Sequence, residues 1–381
     1  MSQRRTSNEA FDQRMMRRAI ALARRGEGRV EPNPMVGCVI ARNGRVIGEG
    51  FHRRFGGPHA EIEALRACQS HPRGADVYVS LEPCCHVGKT PPCTEALIEA
   101  NVGRVVVSHR DPDKLVSGRG LRSLRRAGIR VETGLLHSQA SAVLAPYLTR
   151  LSFDRPYIIA KWAQSLDGKL ATRAGDSRWI SGERSRRSVH RLRARVDAVL
   201  VGSETILKDD PRLTARDVPV RRRALRIVLD RRLRTPATCQ LVATAADIPT
   251  LIVTANRNVK SAKARRLTRK GVEVVGCPVT KRGLSLSSCM RRLARRQVTN
   301  LLVEGGAKVL TSFLAEKLVD EALVFVAPKL IGGRTAPCVL PRDGARRIQD
   351  ALTARAVQVS RSGDDQCYRM WFTEFATDRA Y

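Results

Sequence analysis

The chain has 381 residues, 43% of them hydrophobic. At ~100 to 200 residues per domain this suffices for two domains with cores of their own and excludes a disordered tail protein. Lys and Arg number 69 against 36 Asp and Glu, and the resulting charge of +33 points to an anionic partner, phosphate or nucleic acid. Aromatics, at 4%, are too sparse for gripping single strands by base stacking, so nucleic acid is the weaker choice.

No apolar run reaches the ~20 residues that would cross a bilayer, and the short apolar patch Ala19 to Ala23 is flanked by arginines rather than forming a signal peptide. Cys84, Cys85 and Cys93 crowd together while Cys239, Cys277, Cys289, Cys338 and Cys367 stand singly. That distribution reads as one metal or thiol site in a cytoplasmic chain, not as a disulfide framework.

Residues 9 to 25 alternate apolar and basic at helical spacing, and Val36 to Ala41 and Arg45 to Glu49 flank Asn43-Gly44, a tight-hairpin dipeptide. There follow a helix from Ala60, a strand at Val77 to Leu81, a helix from Thr94, a strand at Arg104 to Ser108, a helix from Leu121 and a strand at Ile129 to Glu132. Beyond Pro156, strands are expected at Tyr157 to Trp162, Ala198 to Val201, Arg226 to Leu229, Leu251 to Thr254, Val272 to Val275, Leu301 to Val303 and Leu323 to Val326, with helical patterns between several of them. Such alternation means sheets with helices on their faces. The apolar periodicity breaks around Arg150 and Asp154, which places domains at 1–150 and 151–381.

His59-Ala60-Glu61 follows Gly56-Gly57-Pro58, a turn that would start a helix. Pro83-Cys84 comes 25 residues after His59, and Cys93 follows Pro91-Pro92 at the start of another helix. One imidazole and two thiolates make three zinc ligands, and three rather than four leave a position for water, which zinc acidifies to a pKa of ~7. Glu61 is then the proton shuttle, and a helix start favours the thiolates of Cys84 and Cys93. H-x-E followed by P-C-x-x-C is the signature of zinc deaminases. Here the cysteines are nine apart, which argues for a longer substrate loop, and Cys85 and His86 compete as ligands. Taken singly, His59 would be an ordinary helix-cap histidine and each cysteine core filler. Gly88-Lys89-Thr90 looks like the end of a P-loop, but the required glycine falls at Pro83, so that motif is rejected.

With Asn33-Pro34-Met35-Val36-Gly37, His59-Ala60-Glu61, Leu81-Glu82-Pro83-Cys84, Gly88-Lys89-Thr90-Pro91-Pro92-Cys93 and Asp111-Pro112 in this order, the chain resembles the bifunctional riboflavin-biosynthesis deaminase/reductase family. Lys161, Ser165-Leu166-Asp167-Gly168, Ser177-Arg178-Trp179-Ile180, Asp209-Asp210-Pro211 and Val303-Glu304-Gly305-Gly306 extend the resemblance to nearly the whole chain. It implies an N-terminal cytidine-deaminase-like three-layer α/β/α domain and a C-terminal dihydrofolate-reductase-like α/β domain, in a cytoplasmic homo-oligomer with Zn2+ and NADPH as cofactors. The first domain would deaminate a diaminopyrimidinone carrying a ribosylamino 5′-phosphate, with Glu61 moving protons and Asn33 holding substrate. The second would reduce the ribosyl group of the product to ribityl.

By position, the resemblance assigns Ala163, Trp179, Thr205, Asp209, Gly306, Ala307 and Lys308 to NADPH, and Ser177, Arg193, Leu213, Arg216 and Glu304 to substrate. Asp209 would also serve in proton delivery. A Rossmann fingerprint is absent, whereas Gly305-Gly306 between a strand and a helix offers bare amides to a pyrophosphate. Trp179 could equally be core, Arg193 a solvated charge and Asp209 a turn cap. Cys85 stands where the family usually has serine, Asp113-Lys114 replaces asparagine-proline, and Arg231 occupies a small polar position where it could meet a 2′-phosphate or face water. Two rival readings remain at this stage: an RNA deaminase, and a nucleic-acid-binding module whose zinc is structural.

Overall fold

The computed structural model describes residues 2–86, 91–339 and 344–375; Gly88-Lys89-Thr90 lies outside them. The chain divides into two compact units, Met1–Phe153 joined by Phe375, and Asp154–Glu374. Among the described residues no helix is long and apolar enough to cross a membrane.

In the first unit, α1 (Ser2–Ala23) leads into a hairpin of β1 (Gly37–Arg42) and β2 (Arg45–Phe51). Asn43 and Gly44 turn it with φ of 52° and 74°, the left-handed pair that an Asn-Gly hairpin loop requires. Then come α2 (Ala60–Arg66), β3 (Asp76–Leu81), α3 (Cys93–Glu99), β4 (Arg104–His109), α4 (Arg119–Arg126), β5 (Arg130–Thr133) and α5 (His137–Phe153). The sheet order is β2-β1-β3-β4-β5; β1 is antiparallel to both neighbours, and β3, β4 and β5 run parallel.

Strand alternation divides β1 between two cores. Cys38 and Ile40 join Ala60, Ala64, Leu97 and Leu124 from α2, α3 and α4, whereas Val39 and Ala41 join Met16, Ile20, Leu144 and Leu148 from α1 and α5. The result is three layers, helices on both faces of one sheet, with each fully buried Leu contributing about 1.5–3 kcal/mol. Gly48 and Gly50 bring β2 directly onto α2: a Cβ at Gly48 would run into the Ala64 carbonyl, and one at Gly50 into the Ala60 carbonyl and the Ala64 amide.

Helix α5 is absent from the sequence-based expectation and runs unbroken through Arg150. Pro146 lies inside it and every side chain from Ala140 to Ala145 is buried, so it shows none of the amphipathic period by which surface helices are recognised.

The second unit contains β6 (Tyr157–Ser165), α6 (Glu183–Arg193), β7 (Ala198–Gly202), α7 (Ser203–Asp209), β8 (Leu225–Leu229), α8 (Gln240–Ala243), β9 (Thr250–Ala255), α9 (Ala262–Arg269) and β10 (Glu273–Cys277). A small ribbon of β11 (Val279–Thr280) and β12 (Gly283–Leu284) precedes α10 (Leu286–Arg295), β13 (Asn300–Val303), α11 (Ala307–Ala315), β14 (Glu321–Ala327), β15 (Ala356–Ser362) and β16 (Asp365–Trp371). Nine strands form one sheet in the order β10-β9-β8-β7-β13-β6-β14-β16-β15, parallel as far as β14 and antiparallel thereafter. The last hairpin was not anticipated, because β15 is solvent-facing along most of its length and its short apolar alternation, Val357 and Val359, is exposed.

In mid-sheet Val303 of β13 pairs with Ala160 of β6. The next residue on each strand, Glu304 and Lys161, therefore emerges beside the other.

Candidate functional site

In the first unit three donors converge because three elements end at one place. His59 is the N-cap of α2, Cys84 follows β3, and Cys93 opens α3. Their ligand atoms all lie within 4.8 Å of one another. His59 Nδ1 is 3.3 Å from Cys93 Sγ and 3.4 Å from Cys84 Sγ. Zinc bonds of ~2.0 Å to nitrogen and ~2.3 Å to sulfur at a tetrahedral angle need roughly 3.5 Å between those atoms, so the donors fit that ion. A hydrogen bond from Cys93, with others from His59 and the Cys93 amide at 3.3 Å, holds the Cys84 thiol down to about 4. Contact with Cys84 in turn raises His59.

Glu61, in the first turn of α2, is 3% exposed. Burial and the neighbouring Cys84 thiolate push its carboxyl up to about 7. Neither rival ligand joins the group: Cys85 Sγ lies 3.8 Å from the Leu115 carbonyl, and His86 is exposed. Among the described residues the cluster therefore has three protein ligands, which leaves one coordination position.

Asn33 Nδ2 lies 3.2 Å from His52 Nε2, while His52 Nδ1 reaches the Pro58 carbonyl at 2.9 Å and its ring meets that of His59 edge-on at 5.5 Å. Buried His52 thus links Asn33 to the metal cluster. Glu82 is likewise buried, and its carboxylate accepts backbone N–H bonds from Asp111 and Gly118 on one oxygen and from Gly120 and Leu121 on the other, at 3.0–3.3 Å. It ties the 111–121 segment to the turn that carries Cys84. His52 was not singled out in the sequence, and Glu82 was noted only as part of the Leu81-Glu82-Pro83-Cys84 motif without a role, since their partners are remote along the chain.

In the second unit a cavity of about 700 Å³ is lined by Lys161, Ala163, Ser177, Trp179, Arg193 and Arg216 among others. Arg193 donates to both carboxylate oxygens of Glu304 at 2.6 Å, so two expected substrate contacts hold each other. Burial pushes the Glu304 carboxyl up, but Arg193 and Lys161 outweigh it and the net shift is downward. Burial also lowers the Lys161 ammonium. Trp179 is 64% exposed and therefore not core; Arg186 covers its ring at 4.5 Å.

Leu213, buried at φ 52°, lines a smaller cavity of about 220 Å³ with Arg193. Thr205, Gly306, Ala307 and Lys308 gather where α7 and α11 begin. A Cβ at Gly306 would meet only Thr205 Oγ1, at 4.0 Å, and Lys308 Nζ reaches Glu204 at 2.8 Å. Asp209 closes the far end of α7, while its neighbour Asp210 accepts the Gln240 amide at 2.8 Å. Arg231 is exposed. Sequence reasoning also missed Arg187 and His190, although Glu183, Arg186, Arg187, His190 and Arg193 follow a helical stripe that could have been read directly.

Comparison with known proteins agrees with both halves. The family described as RibD C-terminal domain matches residues 156–368, and the one described as cytidine and deoxycytidylate deaminase zinc-binding region matches residues 9–109. Riboflavin biosynthesis protein RibD of Aquifex aeolicus is 41% identical over 355 residues, covering 93% of this chain and 97% of that protein. The Escherichia coli protein of the same name is 38% identical over 369 residues, covering 94% and 99%. A solved structure of Acinetobacter baumannii RibD superposes with a TM-score of 0.84 at 34% identity, over 96% of this chain and 99% of that one. The Thermotoga maritima structure, a diaminohydroxyphosphoribosylaminopyrimidine deaminase/5-amino-6-(5-phosphoribosylamino)uracil reductase, gives 0.83 at 34% identity with the same coverage.

Proposed function

The chain belongs to the RibD family of riboflavin-biosynthesis enzymes, a zinc-binding deaminase joined to a reductase, and on that footing we propose that it acts on the substrates named for the Thermotoga relative, with NADPH as reductant. The observation that carries the deaminase half is the convergence of His59, Cys84 and Cys93 beside buried Glu61. Zinc on those three donors supplies the Lewis acidity that makes water a nucleophile at neutral pH. Glu61 takes the proton that water loses, delivers one to the pyrimidine ring nitrogen and returns one to the departing ammonia, so that C–N is exchanged for C=O with the loss of NH3. Burial keeps that proton from exchanging with bulk water. Asn33, held by His52, orients the ring.

The reductase half rests on the cavity shared by Lys161, Ala163, Ser177, Trp179, Arg193 and Arg216. Exposed Trp179 offers a flat face to a nicotinamide, and the bare backbone at Gly306 with Lys308 beside it suits a pyrophosphate. NADPH supplies hydride to the ribosyl C1′ when bound; the chain's residues hold the sugar and exclude water. Asp209, at the end of α7, would serve in proton delivery to the substrate.

The test is one assay on purified, zinc-loaded protein, following ammonia release and NADPH absorbance on the diaminopyrimidinone ribosylamino phosphate. Ammonia must appear without NADPH, and NADPH must be consumed only after deamination. Ammonia without NADPH oxidation refutes the reductase reading, and neither change refutes both.

A further inference from the structure

Two loops leave neighbouring strands at the same end of the second sheet. β6 and β14 run parallel with Ser165 opposite Ala327, so the chain beyond each emerges beside the other, at the carboxyl ends where open α/β sheets take their ligands. The first loop, residues 166–182, forms neither helix nor strand and carries Ser177 and Trp179 to the cavity. Apolar packing does little to join it to the second, since Leu166 is 67% and Leu330 77% exposed. Segments so sparsely packed open at low cost unless something else ties them down.

Hydrogen bonds supply the tie. The Leu166 amide donates to the Lys329 carbonyl and the Leu170 amide to the Pro337 carbonyl, both at 2.8 Å, which closes the loops at their bases. Between these lies Asp167, aimed by a tight turn with Gly168 at φ 79°. Buried Ser165 Oγ accepts from the Lys169 amide at 2.9 Å and donates to Asp167 Oδ1 at 2.6 Å. The Asp167 carboxylate in turn accepts the Ile331 amide at 3.1 Å and the Gly332 amide at 2.7 Å, one on each oxygen. The Ser165 hydroxyl and these two amides hold its carboxyl down to about 2, so the acceptor is charged throughout the neutral range. Two residues before Ile331, Lys329 donates through Nζ to the Trp179 carbonyl at 2.7 Å.

We propose that Asp167 is a positioning residue for cofactor binding: by fixing the 329–332 strap it fixes Lys329, and through Lys329 the segment that presents Trp179 to NADPH. The proposal rests on the reductase reading above. NADPH then meets a formed site only in the latched molecules, and its apparent Kd is the intrinsic value divided by the latched fraction. The pyrimidine substrate, held from other elements, is indifferent to the latch.

The experiment uses full-length wild type, D167A, D167N and K329M. NADPH affinity is read without substrate from quenching of tryptophan fluorescence, KM for the deaminated substrate from NADPH oxidation at saturating cofactor, and the latch itself from hydrogen exchange at the Ile331 and Gly332 amides. D167A is expected to weaken NADPH about fivefold to tenfold, the factor carried by one net hydrogen bond, and to speed exchange at both amides. D167N, which keeps one of the two acceptors, should fall between it and wild type. K329M should weaken NADPH to a similar degree without faster exchange, and D167A/K329M should bind NADPH within about twofold of either single variant, because both cut one chain of contacts. Substrate KM should stay within about twofold of wild type in all of them, which certifies a folded reductase. Unchanged NADPH affinity in D167A and D167N, a parallel rise in substrate KM, or additive losses in the double variant overturns the proposal. Failure of the wild type to bind NADPH would instead remove the reductase reading, so the two failures are distinguishable.

Discussion

Glu82→Gln is the sharpest test of how the metal-binding turn is held. The substitution preserves shape but replaces one carboxylate oxygen by an NH2 group. Oε1 takes the amides of Gly120 and Leu121, and Oε2 those of Asp111 and Gly118, so in either amide orientation two backbone donors face another donor. A buried unsatisfied donor costs ~1–3 kcal/mol, which gives about 2 to 6 kcal/mol for the pair. The side chain is 3% exposed, and Gly120 packs against the Pro83 carbonyl, so water has no room to replace the lost acceptor. Two measurements check this: denaturant unfolding of the first unit, and hydrogen exchange at the amides of Gly118, Gly120 and Leu121. A loss below about 1 kcal/mol, with protection of those amides unchanged, would refute the view that Glu82 organises the segment.

Glu61→Gln should abolish ammonia release, by a factor of about 10² or more, while zinc content and NADPH oxidation of pre-deaminated substrate persist; metal analysis alongside both assays decides it. Chelation, or Cys93→Ser, should silence ammonia release and leave NADPH oxidation intact, with zinc restoring the chelated wild type only. Removing Glu304 or Arg193 alone should destabilise the second unit by about 3–5 kcal/mol, since each leaves the other's charge buried, and a double-mutant cycle should show strong coupling. Because the Glu304 carboxyl lies below its ordinary 4.5 in the folded protein, its contribution is complete above that pH and disappears as pH falls through the lower folded value; E304Q should flatten that acid limb of the stability profile.

What could be read from the chain beforehand follows the range of the interactions concerned. The hairpin at Asn43-Gly44 was legible because two adjacent residues alone dictate its left-handed φ values. Most strands carried compact apolar runs. Helix α5 escaped because it is buried on nearly all sides and contains Pro146, so neither period nor composition marks it. The hairpin of β15 and β16 escaped for the opposite reason, exposure along an edge. The zinc donors were legible as a motif, since the elements that deliver them impose fixed chemistry at their ends. The Arg193–Glu304 pair spans 111 residues and the Glu82 contacts up to 39, and neither can be inferred without strand register. That is why the pairing of Arg193 with Glu304 becomes visible only in the fold.

The two glycines on β2 have a consequence for how this enzyme tolerates change. Because Gly48 and Gly50 set α2 against main-chain atoms, the helix bearing Glu61 and capped by His59 takes its position from peptide geometry rather than from side-chain volume. Peptide groups do not shrink or swell when a neighbouring Leu becomes Ile. Ordinary drift in the surrounding core can therefore erode stability while the reacting atoms keep their alignment. The reverse holds at Gly48 and Gly50: a single added methyl group, harmless on most surfaces, would lever the helix away from Cys84 and Cys93 and disable chemistry it never touches.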